Sequence, residues 1–132
     1  MKISTKSRYG IRMLIDMYEN LDDCPVRLMD IAQRQNVSQH YLEQVASDLK
    51  RAGIIYSMKG PQGGYCLSYD ADNIIIGDVI RILEGDIQLT DSHMQNESIL
   101  QQTINKSVYD KLNGKIKDLV DSLTLKKLVD KR

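Results

Sequence analysis

The sequence lacks any long uncharged apolar run, and Ile74–Ile76 is about its longest purely aliphatic stretch. A transmembrane helix needs about 20 consecutive apolar residues, so this absence predicts that the chain does not span a membrane. The basic N-terminus is not followed by an apolar segment and a small-residue cleavage site, which argues against a secretory signal. We therefore expect a cytoplasmic protein.

Cysteine is scarce, since only Cys24 and Cys66 occur in 132 residues. Two cysteines so far apart in sequence form neither a disulfide scaffold nor a paired-thiol motif, and their scarcity fits a reducing compartment. Cys24 stands beside Pro25 in a predicted turn, where a reactive thiol would make the protein sensitive to oxidation. The alternative is an inert small turn residue, because no lysine, arginine or histidine is adjacent to favour the thiolate.

The chain also lacks net charge, since Lys and Arg number 18, Asp and Glu number 18, and the sequence pI is about 6.7. Bulk basicity therefore gives no argument for nucleic-acid binding, and only a local patch can provide one. The N-terminus holds such a patch before the first acidic residue, formed by Lys2, Lys6, Arg8 and Arg12. With 42% hydrophobic and 27% charged residues, the composition is typical of one compact globular domain.

Signatures of catalysis are missing as well, because the chain contains no Ser-His-Asp order, no metal-ligand motif and no cofactor fingerprint. Its soft metal ligands are Cys24, Cys66, His40 and His93. Four such ligands would suffice for tetrahedral zinc, but their scatter along the chain argues against a site. We expect a protein without enzymatic activity, bound metal or cofactor.

A first helix is predicted by apolar residues that recur every four positions, namely Tyr9, Met13, Met17 and Leu21. Ser4 or Thr5 can cap its start. A second helix is predicted over Leu28–Gln35, and Asn36 behind it suits a left-handed C-terminal residue.

Ser38 offers an N-cap for a third helix, which Gly53 ends. The inner face of this helix is formed by Leu42, Val45, Ala46 and Leu49. The order of helix, tight turn and helix is the arrangement that places a second helix in the major groove of DNA.

Strand-like residues between Ile54 and Ser68 flank a glycine-rich tip that contains Gly60, Gly63 and Gly64. The glycines are not followed by the Gly-Lys-Ser/Thr of a phosphate-binding loop, so we interpret them as a hairpin turn that needs positive φ. A helix-turn-helix followed directly by a hairpin is the layout of a winged helix, which makes DNA binding the leading hypothesis.

A fourth helix is predicted over Gly77–Glu84, and the polar stretch Asp86–Ser98 is predicted to be a surface loop. A long helix of roughly 25 residues follows, and Thr124 can cap a short final helix. The long helix needs a partner, which predicts a dimer interface formed by Leu100, Ile104, Val108, Leu112, Ile116 and Leu119.

Four segments resemble motifs of the Rrf2 family of bacterial transcription regulators. They are residues 1–10 (MKISTKSRYG), 41–44 (YLEQ), 59–67 (KGPQGGYCL) and 77–85 (GDVIRILEG). The resemblance implies a mainly α fold with a small β-hairpin wing, that is, a winged helix-turn-helix plus a long C-terminal dimerisation helix. It also implies a homodimer that binds palindromic double-stranded DNA operators. We expect a DNA-binding domain over residues 1–85, a loop over 86–98 and a helical dimerisation region over 99–132.

Many members of this family carry three cysteines between the fourth helix and the dimerisation helix, where they bind an iron-sulfur cluster. Residues 86–98 contain no cysteine here, so cluster sensing is not expected. Assembling the four thiols of a dimer, on the wing and beside the helix-turn-helix, would require abandoning the DNA-binding fold. The resemblance is to the cluster-free branch, and implies a repressor of cysteine and sulfur metabolism. Its signal is expected to enter at residues 86–98 or the long helix, from a protein partner or a small effector.

The residues expected to contact DNA lie on the third helix and the wing: Ser38, Gln39, His40, Tyr41, Glu43, Gln44, Arg51, Lys59, Gln62 and Gly63. Gln44 suits adenine, Glu43 suits cytosine, and Arg51 suits phosphate. The family usually has arginine where Lys59 stands, and lysine lacks the planar fork, so phosphate attraction is expected there more than base discrimination. The alternatives are a solvated helix face and, for Tyr41, packing of the ring against the helices. A second hypothesis is a protein-binding adaptor on the same scaffold that has lost DNA binding.

Overall fold

The computed structural model describes residues 2–88 and 98–131. Its elements in chain order are α1 (Thr5–Glu19), α2 (Leu28–Gln35), α3 (Gln39–Arg51), β1 (Ile55–Met58), β2 (Gly64–Leu67), α4 (Ile76–Glu84), α5 (Ile99–Ile104), a π-helical segment (Asn105–Tyr109), α6 (Asp110–Ser122) and α7 (Leu125–Asp130). The predicted mainly α fold with one small β-hairpin is confirmed, and the bounds of α2 agree with the sequence prediction.

The core lies where α1, α2, α3 and α4 meet. The predicted inner face of α3 is buried at all four positions, and none of these side chains is more than 1% exposed: Leu42, Val45, Ala46 and Leu49. Fully burying an aliphatic side chain such as Leu or Val contributes about 1.5–3 kcal/mol, so this face anchors α3 and leaves its opposite face to solvent.

Helix α1 begins at Ser4, whose Oγ accepts a hydrogen bond from the Ser7 backbone N–H at 3.2 Å. Of the two predicted caps, Ser4 is therefore the one used. Its own backbone N–H donates to the Glu84 carboxylate at the end of α4, and hydrogen bonds from Ser4 hold the pKa of Glu84 below its usual range. The prediction for Leu21 is wrong, because the helix ends at Glu19 and Leu21 is 48% exposed in a short 3-10 turn.

The wing is an antiparallel pair in which β1 and β2 are aligned with Ile55 opposite Leu67 and Tyr56 opposite Cys66. It follows α3 directly, since the Ile54 N–H donates to the Leu49 carbonyl at 3.0 Å. An additional bridge joins the wing to the segment before α2, because Val26 and Tyr65 exchange two backbone hydrogen bonds of 2.9 Å.

Positive φ is found in the wing only at Gly60, where φ is 128°, so the prediction of left-handed backbone is wrong for the other two glycines. Those two are required for space instead. A Cβ at Gly63 would meet the Met58 carbonyl oxygen, and a Cβ at Gly64 would meet the Val26 carbonyl oxygen. Gly64 therefore permits the close approach of the wing to the segment before α2.

The predicted long helix is confirmed over residues 99–122, with a π-helical stretch at its centre. It is tied to α4 through Asp121, whose carboxylate accepts from Lys117 Nζ at 2.9 Å and pairs with Arg81 Nη2 at 2.7 Å. A Cβ at Gly77 would collide with the Asp121 side chain, so glycine at this position allows α4 and α6 to touch.

The chain returns to the core after the long helix. Thr124 caps α7 by accepting from the Lys127 N–H at 3.2 Å, as predicted, and the following Leu125 is fully buried in the core shared with α1 and α3. The Leu125 N–H donates to the Ile74 carbonyl at 2.9 Å. Within the described residues, no helix is both long enough and apolar enough to cross a membrane.

Candidate nucleic-acid interface

The helix-turn-helix is set by the residues between α2 and α3. Asn36 adopts left-handed backbone with φ of 54° and ψ of 50°, which ends α2 as predicted. Ser38 then caps α3, because its Oγ accepts from the Tyr41 N–H at 3.3 Å. A turn this short fixes the direction in which α3 leaves α2 and so presents the N-terminal half of α3 to solvent.

The solvent face of α3 carries the polar side chains that were predicted to contact bases. His40 and Glu43 have side chains that are 83% and 54% exposed, and His40 Nδ1 lies 3.8 Å from Glu43 Oε2. Gln39 and Gln44 are exposed too, and neither side-chain amide has a hydrogen-bond partner among the residues that the structure describes. These amides can therefore pair with a ligand without breaking an existing contact.

Tyr41 differs from its neighbours on α3. Its ring packs edge-to-face on the Tyr9 ring of α1 with a centroid distance of 5.3 Å, and it is only partly exposed. Arg12 lies over the other ring of this pair, 5.7 Å from the Tyr9 centroid, and donates to the Gln35 carbonyl at the end of α2. The Tyr41 ring thus joins α1 to α3, which favours the packing alternative for this residue.

The basic N-terminal patch is partly neutralised inside the protein. Lys6 of α1 forms an ion pair with Asp48 of α3, and Asp48 also lies 3.4 Å from Arg51. Beside the Lys6 pair is an open groove of about 350 Å³ that is lined by His40, Glu43, Gln44 and Ser47 as well. The sequence alone did not reveal that Asp48 holds two of the positive charges next to the α3 face.

Arg51 and the wing tip carry exposed positive charge near α3. The Arg51 side chain is 76% exposed despite its contact with Asp48. Lys59 and Gln62 are exposed at the tip of the hairpin, and Gly63 is half-buried against the turn. An exposed surface ion pair contributes at most about 1 kcal/mol, so Arg51 can exchange its contact with Asp48 for a phosphate at little cost.

The two cysteines are joined in a disulfide, which contradicts the expectation of separate thiols. Their Cα atoms lie 5.5 Å apart. The bridge between Val26 and Tyr65 brings the turn before α2 alongside strand β2, and this pairing places Cys24 next to Cys66. The two cysteines of one chain thus lie next to each other within the winged-helix fold. Their contact depends on pairing between distant segments, so no local sequence pattern predicts it.

The donor set does not fit a cysteine-ligated iron-sulfur cluster. Cys24 and Cys66 account for all cysteines of the chain and are bonded to each other, and residues 86–98 contain none. In residues 2–88 and 98–131 no group of three or more His, Cys, Asp or Glu side chains is placed to hold a metal ion. His93 and most of the 86–98 loop lie outside the described residues.

The long helix exposes apolar side chains along much of its length. The predicted members with large exposed fractions are Leu100 at 70%, Val108 at 44%, Leu112 at 45% and Leu119 at 60%. Ile104 and Ile116 are half-buried, and Ile99, which the sequence interpretation left out, is 83% exposed. So many large exposed apolar side chains on one helix are typical of an interaction surface.

Comparison with known proteins agrees with this architecture. The Rrf2 family model, described as an iron-dependent transcriptional regulator, matches residues 3–131. The HTH-type transcriptional regulator CymR of Bacillus subtilis is 38% identical over 128 residues, which cover 97% of this chain and 89% of the relative. IscR of Vibrio campbellii is 34% identical over 132 residues, with 98% of this chain and 77% of the relative covered.

The solved structure of CymR from B. subtilis, described as the global cysteine regulator of that organism, has a TM-score of 0.86 to this chain. The two are 36% identical, and the comparison covers 100% of this chain and 98% of that one. The helix-turn-helix, the wing and the long C-terminal helix are thus shared along the whole length. This chain belongs to the Rrf2 family and is an HTH-type transcriptional regulator.

Proposed function

We propose that the protein represses transcription by binding a palindromic DNA operator as a homodimer, with α3 in the major groove and the wing beside it. One observation carries this proposal: the N-terminal half of α3 is anchored by a buried inner face and presents exposed polar side chains that are free to pair with base edges. In helix-turn-helix proteins this part of the second helix reaches the bases.

The side chains that contact base edges in the proposed complex are those of Gln44 and Glu43. A glutamine amide can pair with both N6 and N7 of adenine, and a glutamate can accept from N4 of cytosine. Glu43 also repels phosphate, so binding should be weaker in any alignment of the protein on DNA that places no cytosine amine opposite this side chain. Gln39 and His40, close to the cap at Ser38, are placed to contact either bases or phosphates.

The side chains that contact phosphates in the proposed complex are Arg51 at the end of α3 and Lys59 on the wing, both of which are exposed. Gln62 and the backbone at Gly63 can add hydrogen bonds to the sugar-phosphate chain. Because the protein has no net charge, these local contacts must supply the electrostatic part of the affinity.

A homodimer formed through residues 99–122 is supported by the exposed apolar face of the long helix and by family membership. A two-fold axis through this helix would place two α3 helices on one duplex. Residues 1–85 would then act as the DNA-binding unit and 99–132 as the dimerisation region, with 86–98 as the place where a protein partner or small effector acts.

The similarity to CymR supports a role in cysteine and sulfur metabolism. A bacterial gene regulator works where the chromosome is, so we place the protein in the cytoplasm. A gel-shift experiment with promoter fragments of sulfur-metabolism genes from the native genome tests this function. Retarded bands that survive excess random DNA are expected. Binding that is equal on all fragments, or absent, would favour the adaptor hypothesis.

A further inference from the structure

The disulfide joins two parts of the protein that serve the proposed function. Cys24 lies in the turn that leads into α2, and Cys66 lies on β2 of the wing. Besides this bond, the two segments are held together by the pair of hydrogen bonds between Val26 and Tyr65, whose side chains also pack in the core. The covalent link therefore adds to the noncovalent contacts that hold the base of the wing against the helix-turn-helix.

The two cysteines differ in their exposure to solvent. Cys24 is exposed, and it lines an open cleft of about 640 Å³ with Arg27, Pro61 and Gln62. Cys66 is only 3% exposed, and its Sγ lies 3.7 Å from Met58 Sδ. A small oxidant or thiol can therefore reach Cys24, whereas Cys66 is shielded by the wing.

The backbone requires no rearrangement for the bond to form or break. A Cα separation of 5.5 Å lies in the range common for disulfides, and strand pairing rather than the disulfide brings the two segments together. In a reducing compartment disulfides are rare, and those that occur there are usually transient or redox-sensing. This last step rests on the proposed function, which places the protein in the cytoplasm.

We propose that Cys24 and Cys66 form a reversible two-electron redox site, in which Cys24 reacts with hydroperoxides and small thiols and Cys66 is the resolving cysteine. In oxidation, the Cys24 thiolate attacks the peroxide O–O bond, which gives a sulfenic acid and releases one hydroxide. The Cys66 thiolate then attacks Cys24 Sγ, the S–S bond forms, and the second hydroxide leaves and is protonated to water. Two thiols and one hydrogen peroxide thus give one disulfide and two waters.

Reduction reverses the roles of the sulfurs. A small thiolate attacks the exposed Cys24 Sγ, forms a mixed disulfide there and releases Cys66 as a thiolate, which takes up a proton. A second thiol then attacks the mixed disulfide and releases Cys24 together with the oxidised small-molecule disulfide. The wing base is covalently fixed in the oxidised protein and held by hydrogen bonds and side-chain packing in the reduced protein.

The test uses the full chain, reduced with dithiothreitol, freed of it and treated with hydrogen peroxide. Peptide mapping of the wild type should show Cys24 linked to Cys66 within one chain. In Cys66→Ser and Cys66→Ala, peroxide should leave a sulfenic acid at Cys24 that dimedone traps. In Cys24→Ser, which changes an exposed residue, Cys66 should stay a thiol and react with iodoacetamide at least ten-fold more slowly than Cys24 does in the Cys66 variants.

Hydrogen exchange gives a second measure, since the amides of Val26 and Tyr65 should exchange more slowly in the oxidised wild type than in the reduced one. A wild type that accumulates sulfenic acid or forms disulfides between chains would overturn the proposal, as would equal reactivity of the two cysteines. Failure of the proposed function is seen separately, because it would appear as loss of specific DNA binding by the reduced protein.

Discussion

Arg34 holds both carboxylate oxygens of Asp16, with Nε 3.0 Å from Oδ2 and Nη2 2.7 Å from Oδ1. Asp16 is nearly buried in α1, and Gln35 Nε2 adds a third donor at 3.0 Å. This pair joins α1 to α2 at the back of the helix-turn-helix. The hydrogen bond to Asp16 also raises the pKa of Arg34, so the guanidinium remains charged at neutral pH.

Arg34→Ala should destabilise the protein by roughly 3 kcal/mol, because it leaves a buried carboxylate with only one strong donor. Arg27→Ala is the matched control, since the Arg27–Asp30 pair is exposed and should contribute at most about 1 kcal/mol. Urea unfolding followed by circular dichroism measures both. Equal losses for the two variants would show that the Asp16–Arg34 pair has no special structural role.

Acid should loosen the contact between α4 and the long helix. Hydrogen bonds from Lys117 and Arg81 lower the pKa of Asp121. A group whose pKa is lowered by folding stabilises the protein above its unfolded pKa, and this contribution is lost as the pH falls through the lower, folded value. Asp121→Asn should therefore reduce the loss of stability seen below about pH 4, measured as thermal midpoints across that range. Asp118→Asn, on the same helix, is the control and should have a smaller effect on the loss of stability at acid pH.

The sequence could predict those features of the fold that depend on residues within a single helix and its ends. The buried face of α3, the left-handed Asn36 and the caps at Ser38 and Thr124 all follow from spacing and side-chain chemistry within a few residues. Leu21 was misplaced because its spacing continues the α1 stripe although the helix has already ended. Apolar periodicity alone does not locate the end of a helix.

Contacts between distant segments could not be predicted in this way. The meeting of Cys24 with Cys66 depends on the pairing of Val26 with Tyr65, and the neutralisation of Lys6 depends on how α1 crosses α3. At the candidate site, exposure of Gln44 and Glu43 was predictable from the helix period. The sequence did not decide whether Tyr41 packs against the helices or contacts DNA, because a tyrosine at the edge of an apolar helix face suits both roles.

The dimer prediction is tested by placing charge in the exposed apolar face. Val108→Asp combined with Leu112→Asp should give monomers, because a desolvated carboxylate without a partner opposes burial of this face. Tyr69→Asp is the control, since Tyr69 is 54% exposed elsewhere on the molecule, and this variant should remain dimeric. Light scattering gives the mass directly. A dimer that persists after both changes in the long helix would place the interface elsewhere.

Protein purified without oxygen should be colourless and should bind operator equally well with and without a chelator. The reason is that cluster ligation needs several cysteines in one place, whereas none lies between residues 86 and 98 and the chain's two cysteines lie before α2 and on the wing. Iron and sulfide analysis checks this. Stoichiometric amounts of both would contradict it and direct attention to ligands other than cysteine, such as His93.

Residues of the DNA-contact set should separate into two classes. Gln44→Ala should cost about 1–3 kcal/mol at one base pair and relax the preference there. Lys59→Ala or Arg51→Ala should weaken binding to all sequences alike and reduce the salt slope by about one. Fluorescence anisotropy with operator and random duplexes at several salt concentrations distinguishes them. Equal losses on both duplexes for Gln44→Ala would remove it from base readout.

Selection from a pool of randomised DNA duplexes by the full-length, reduced protein tests sequence-specific binding by a two-fold symmetric dimer most directly. An imperfect inverted repeat should be enriched, with half-site centres separated by one or two helical turns, about 10 to 21 base pairs. Failure to enrich any sequence, or enrichment of a single site without two-fold symmetry, would contradict this prediction.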